Sequence, residues 1–227
     1  MLRNTHPDRR HLILMLALTF STGVVDAIGY LGLDRVFTGN MTGNVVILGM
    51  ALVGAEDLPV LGPVLALVGF MGGAALGGRV LRRATAGWSR RTTVLLALVG
   101  AVILALGVVV LVDEELAEPV ALTTTTLLGA AMGLQAATAR FIAVKDVTTV
   151  VVTSTITGLA ADSVLGSGRR GGSARRIAAV VLILAGAAAG AALLKWHLGA
   201  GFVVSAVITL VVAAVGATSS RRSTVDV

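Results

Sequence analysis

Cysteine is absent from this 227-residue chain, which removes disulfide frameworks and thiolate metal sites together. Charge is scarce as well. Only 13% of the residues are Asp, Glu, Lys or Arg, about half of what a soluble domain uses to cover its surface. The three histidines, His6, His11 and His197, stand near segment ends without metal-ligand spacing, so no metal site is expected. No nucleophile elbow, phosphate-binding loop or HExxH motif occurs. Gly166-Ser167-Gly168-Arg169-Arg170-Gly171 matches the dinucleotide pattern GxGxxG by letter. It follows no strand and sits in an arginine-rich stretch between apolar segments, so it reads as a linker. Neither a cofactor nor an enzymatic role is expected.

What the chain has in quantity is apolar surface. Hydrophobic residues make up 56% of it, and the mean hydropathy is +0.94. An integral membrane protein in contact with the lipid bilayer follows from that balance. The net charge of +6 does not point to nucleic acid, because the arginines fall in short clusters between apolar segments, where they orient spans in a membrane. Arg3, Arg9 and Arg10 precede an apolar run from Leu12 to Leu33, too long for a signal-peptide core, so an uncleaved first span is expected. Trp88, and Trp196 with Lys195, read as interfacial anchors.

The apolar segments are Leu12 to Leu33, Val36 to Gly54, Val60 to Leu81, Thr92 to Val112, Pro119 to Ala139, Val147 to Leu165, Ile177 to Leu194 and Gly199 to Ala217. If all crossed, with the amino terminus inside, the cluster from Arg79 to Arg91 would lie outside and Asp113 to Glu118 inside. That arrangement breaks the positive-inside rule. If the second and sixth segments instead dip in and return, every strong arginine cluster falls on the cytoplasmic side. Glu56, Asp57 and the acidic stretch from Asp113 to Glu118 then fall outside. Six crossings and two re-entrant segments are therefore expected, with both termini cytoplasmic.

The non-crossing segments hold equivalent places in two halves, 1–115 and 116–227. Gly23 to Ala27 faces Gly133 to Ala137, Met41 to Asn44 faces Val152 to Thr155, and Gly73 and Gly77 face Gly186 and Gly190. Three crossings per half is an odd number, so the second half enters from the opposite side. That is the inverted-topology repeat of many secondary transporters. An all-α polytopic fold of two inverted halves results. Gly69, Gly73 and Gly77, like Gly186 and Gly190, recur every four residues and suit close helix packing. Their spacing leaves open whether the contact lies within one chain or joins copies in a homo-oligomer.

The stretch Asp34 to Gly54 is the expected working site. Its first part carries Thr38, Gly39, Asn40, Thr42, Gly43 and Asn44, and about ten apolar residues follow, enough for half a bilayer. Irregular polar backbone is tolerated at membrane depth where protein buries it or where it lines a wet cavity. Thr42, Gly43 and Asn44 would open a half-helix whose free amides either bind an anion or carbonyl oxygen or are capped by their own side chains. Thr153, Ser154 and Thr155 would play the same part from the other side. Asp26 lies within the first span, where a carboxylate costs about 2.5–3.5 kcal/mol on insertion scales. It is either a proton- or cation-responsive group or a structural acid bonded to Thr22 or to the re-entrant backbone. Thr123 to Thr126 either face the same cavity or bond back to their own helix.

Gly23 with Asp26, Phe37, Thr42-Gly43-Asn44 and Gly133-Leu134-Gln135 together resemble the YoaK family of small bacterial inner-membrane proteins, a domain of unknown function. The resemblance covers nearly the whole chain and adds Gln135 to the candidate site. This chain has Ser154 where the family pattern has glycine. The expected function is movement of a small solute through a midplane site between the two re-entrant turns, with Asp26 as the coupling group. A passive channel, a membrane interaction or sensory component without flux, and a membrane-embedded enzyme are the rival classes.

Overall fold

The computed structural model describes residues 6–55, 57–84, 87–113, 116–142, 152–163, 166–168 and 173–222. Among these residues the secondary structure is entirely helical. The helices are α1 His6–Gly32, α2 Met41–Leu52, α3 Leu61–Leu81, α4 Arg90–Val112, α5 Glu118–Ile142, α6 Val152–Ala161, α7 Ser173–Leu193 and α8 Leu198–Arg222.

Six of them, α1, α3, α4, α5, α7 and α8, are long and apolar enough to cross a membrane. The 12 residues of α2 and the 10 of α6 rise about 18 and 15 Å, short of a hydrocarbon core about 30 Å thick. The chain is a polytopic membrane protein, with a bilayer as its solvent. Side chains such as Val94, Leu98, Val181 and Leu184 are exposed on the spans, where aliphatic groups meet lipid at no hydrophobic cost.

The chain's prolines punctuate these helices without breaking them. Pro7, Pro63 and Pro119 fall in the first turns of α1, α3 and α5, and Pro59 precedes α3. In a first turn the missing N–H would have had no helical partner. At the start of α4, the Ser89 side chain accepts from the Thr92 amide while Thr92 Oγ1 accepts from the Ser89 amide, a reciprocal capping box.

Packing alternates between the halves of the sequence. The most extensive contacts join α3 to α5, α4 to α8 and α1 to α7, followed by α1 with α8 and α4 with α5. Each of these pairs takes one helix from either half, so the two stretches 1–115 and 116–227 interleave as one packed body. Exchanging α1–α4 for α5–α8 in order maps the set onto itself: α3·α5 becomes α7·α1, and α1·α8 becomes α5·α4. A core of Val24, Val25 and Ile28 on α1, Val99 and Ile103 on α4, and Phe202 on α8 fills the centre.

The glycines show the same exchange at atomic scale. A methyl group at Gly73 would strike the carbonyl of Ala130, and one at Gly186 the carbonyl of Phe20. Gly133 meets the Phe70 carbonyl as Gly23 meets that of Ile183. Gly77 abuts Leu134 and Ala137, and Gly190 abuts Val24 and Ala27. Gly69 lies against the Thr126 carbonyl. All five glycines picked out by spacing therefore pack inside one chain and make no demand for a second copy.

Candidate functional site

The site begins with how α1 ends. Asp34 and Arg35 both take positive φ, 57° each, a left-handed turn rare for residues other than glycine. It reverses the chain after Gly32, and the Val36 amide donates back to the Gly29 carbonyl at 3.2 Å. Non-helical backbone then runs back beside α1 to the level of Asp26. This carboxylate stands six residues before the end of α1, about 9 Å along its axis.

There Oδ1 of Asp26 accepts three backbone N–H groups, from Thr38 at 3.1 Å, Gly39 at 2.7 Å and Asn40 at 3.3 Å. Three successive amides turned toward one oxygen form an anion-binding nest, and the chain's own carboxylate fills it. A methyl group at Gly39 would press on the Thr22 methyl at 2.9 Å and come within 3.4 Å of both Asp26 oxygens, so the close approach needs glycine. The next residue, Met41, opens α2. Its N-cap, Asn40, makes no side-chain cap bond. Of the two readings of this helix start, self-capping does not hold, because Thr42 and Asn44 do not cap the first turn; Asp26 takes the three amides just before the helix.

Asn44 has a different task. It is fully buried, its Oδ1 accepts the Phe37 amide at 2.9 Å, and its Nδ2 donates to the Phe37 carbonyl at 2.5 Å. One side-chain amide thus satisfies both backbone groups of Phe37, as a neighbouring strand would. The Phe37 ring stacks on Tyr30, with centroids 4.9 Å apart.

Beside these groups lies a cavity of about 700 Å³. Its polar lining comes from Thr22, Asp26, Asn40, Thr42 and Thr153, and its apolar walls include Phe37, Val46, Ile47 and Ile183. Of the residues singled out in the sequence, Asp26, Thr42, Gly43 and Thr153 meet here. Asn44, Gln135, Ser154 and Thr155 are not among the lining residues. Thr155 is buried and Ser154 exposed on α6. Of the expected second re-entrant segment, Val147 to Leu165, residues 147–151 and 164–165 lie outside the described residues.

Gln135 supports the cavity wall from behind. Its Nε2 donates to Thr22 Oγ1 at 3.2 Å, and Thr22 Oγ1 donates to the Leu18 carbonyl at 2.9 Å. Gln135 Oε1 and Thr38 Oγ1 are buried and make no hydrogen bond among the described residues. Thr123 and Thr126 bond back to the Pro119 and Leu122 carbonyls, the local alternative, while Thr125 lines a separate cavity of about 380 Å³. No group of three or more His, Asp or Glu side chains that could hold a metal ion occurs among the described residues. Trp88 is no free interfacial anchor: it stacks on His11, donates Nε1 to Thr93 Oγ1 at 2.9 Å and lies against Gly216. Trp196 is 85% exposed, as an anchor would be.

Sequence reasoning named Thr22 only as a bonding partner for Asp26, and passed over Tyr30 and the cavity role of Phe37. A signal for two of them was present, since Thr22, Asp26 and Tyr30 recur every four residues on an otherwise oily helix and so share one face.

The comparisons with known proteins agree with this architecture. The profile of a family described as "Protein of unknown function (DUF1275)" matches residues 14–215. The UPF0700 transmembrane protein YoaK of Bacillus subtilis (strain 168) is 32% identical over 155 residues, covering 68% of this chain and 67% of that protein. No solved structure matches. A match that takes in all six spans, with a transmembrane relative at this identity, places this multi-pass membrane protein in the DUF1275 family, to which it belongs.

Proposed function

We propose that this protein carries a small solute across the bacterial cell membrane, through the cavity beside Asp26. The observation that carries the reading is the lining of that cavity. Asp26, Thr42 and Gly43 come from the first half of the chain and Thr153 and Ile183 from the second. A site shared between two halves that move against each other is how alternating access works in repeat-built transporters.

The halves are read as an inverted repeat. The self-mapping helix contacts and the paired glycines support that relation, and three spans per half would turn the second half over in the bilayer. With the arginine clusters cytoplasmic, both termini lie inside, and α2 and α6 are re-entrant helices entering from opposite faces. A carrier suits the site better than a channel or an enzyme. One carboxylate, Asp26, borders the cavity, and no lysine, arginine or histidine is among its described lining residues, so a proton and a solute can contend for the same carboxylate.

Purified protein in liposomes, tested against a panel of labelled cationic, anionic and neutral solutes, checks this reading. At least one solute should equilibrate faster than in protein-free liposomes. Absence of flux across the panel would move the protein to the interaction or sensory class.

A further inference from the structure

Resting on the reading of this cavity as the solute site, we propose that its solute is a small organic ammonium ion: one positive charge on a compact apolar body. The first ground is what has already been used up. The amide nest of Thr38, Gly39 and Asn40 is already filled by Asp26 Oδ1, and the first turn of α2 stands beside that same carboxylate. An anionic solute would have to displace a carboxylate built into the chain, or sit beside it with like charge.

The second ground is what is left over. Among the described residues Asp26 is the one charged side chain that lines the cavity, and its Oδ2 makes no hydrogen bond there. A carboxylate bordering a cavity with lone pairs to spare accepts from an ammonium N–H. No cationic side chain among the described lining residues competes for it.

The third ground is the remaining wall. Tyr30 and Phe37 stack as a pair at the cavity edge, offering aromatic surface of the kind that attracts alkylammonium groups through the ring quadrupole. Val46, Ile47 and Ile183 supply apolar contact. The aromatic and aliphatic wall adds contact for an alkylammonium ion that a bare metal cation cannot use.

The test uses three compounds of one shape and different charge: tert-butylammonium, pivalate and tert-butanol. Each is added to the full-length protein in detergent, and the thermal unfolding midpoint is compared with equal sodium chloride, since a ligand that binds the native state raises it. Tert-butylammonium alone should raise the midpoint. Asp26→Asn keeps an oxygen for the nest but removes the charge, and should weaken tert-butylammonium binding by about tenfold to a hundredfold, the worth of a charged hydrogen bond. Phe37→Leu leaves the Asp26 bonds untouched and should weaken it by about tenfold. Stabilisation by pivalate or tert-butanol instead, by none of the three, or equally in wild type and both variants, overturns the inference. Flux of methylguanidinium, a compact organic cation that keeps N–H donors and stays charged at neutral pH, is measured separately in liposomes. Binding without flux leaves cation recognition standing and removes only the transport reading. Flux of other solutes without ammonium binding does the reverse.

Discussion

The Gly39 amide donates to Asp26 Oδ1 at 2.7 Å, the shortest of three bonds that tie the returning backbone to the carboxylate of α1. Residue 26 therefore ties down the backbone that leads into α2. The same carboxylate borders the cavity.

Removing that side chain should uncouple the two roles. In Asp26→Leu, the amides of Thr38 and Gly39 lose their acceptor in buried surroundings, and Asn40 loses its own nearer the surface. Unsatisfied buried amides cost about 1–3 kcal/mol each, so a loss of roughly 2–5 kcal/mol in unfolding free energy is expected. Asp26→Asn retains an oxygen in the nest and should lose about 1 kcal/mol. Denaturation in detergent measures both, and equal stability of Leu and Asn would show that the nest contributes nothing.

Asn44 gives a second, independent stability test. Asn44→Asp keeps the acceptor for the Phe37 amide but replaces the donor to its carbonyl with a second oxygen. It should destabilise by about 2 kcal/mol or more, because like partial charges then face each other in a buried position. A wild-type unfolding midpoint for Asn44→Asp would remove the clamp from the account.

The glycine pairs predict matched effects in the two halves. Gly73→Val and Gly186→Val each push side-chain atoms against a backbone carbonyl that cannot rotate away, and each should cost about 3 kcal/mol or prevent assembly. Gly72 has open space around its would-be Cβ, so Gly72→Val should be stable. Monodispersity after purification distinguishes them. If only one of Gly73→Val and Gly186→Val were damaging, the two packing seams would not be equivalent.

Topology is testable without background labelling, because the chain contains no cysteine. Glu56→Cys and Ala117→Cys should react with an impermeant thiol reagent from outside the cell, and Ala86→Cys and Gly172→Cys only from the cytoplasm. Labelling of positions 56 and 86 from the same side would rule out six crossings with two re-entrant helices.

The spans were readable from the sequence because a bilayer imposes one length and one polarity on every crossing helix, and loop arginines do not depend on tertiary contact. The packing glycines Gly73 and Gly186 were readable for a similar reason, since four-residue spacing fixes one face of a helix before any partner is known. Asp26 was marked by its cost in an apolar span, and backbone of the following segment was one of its expected partners; which amides, 12 to 14 residues on, depends on a left-handed turn that no residue type at Asp34 or Arg35 announces. Asn44 shows the limit most clearly. It is adjacent to Gly43, yet one residue along a helix is a rotation of about 100°, enough to turn it from the cavity toward Phe37. Thr22 and Tyr30 could have been found by their spacing from Asp26. Ile183 could not, because only the fold brings α7 to the cavity.

The central claim is that solute passes through the cavity beside Asp26, and obstruction of that cavity tests it most directly. A side chain at Gly43 would run into the Phe37 ring at the cavity wall, whereas one at Gly49, six residues along α2, meets nothing within 4 Å. Solute flux in liposomes should therefore fall at least about tenfold in Gly43→Leu and stay near wild type in Gly49→Leu, at matched protein content. Equal flux through the two variants would contradict the account.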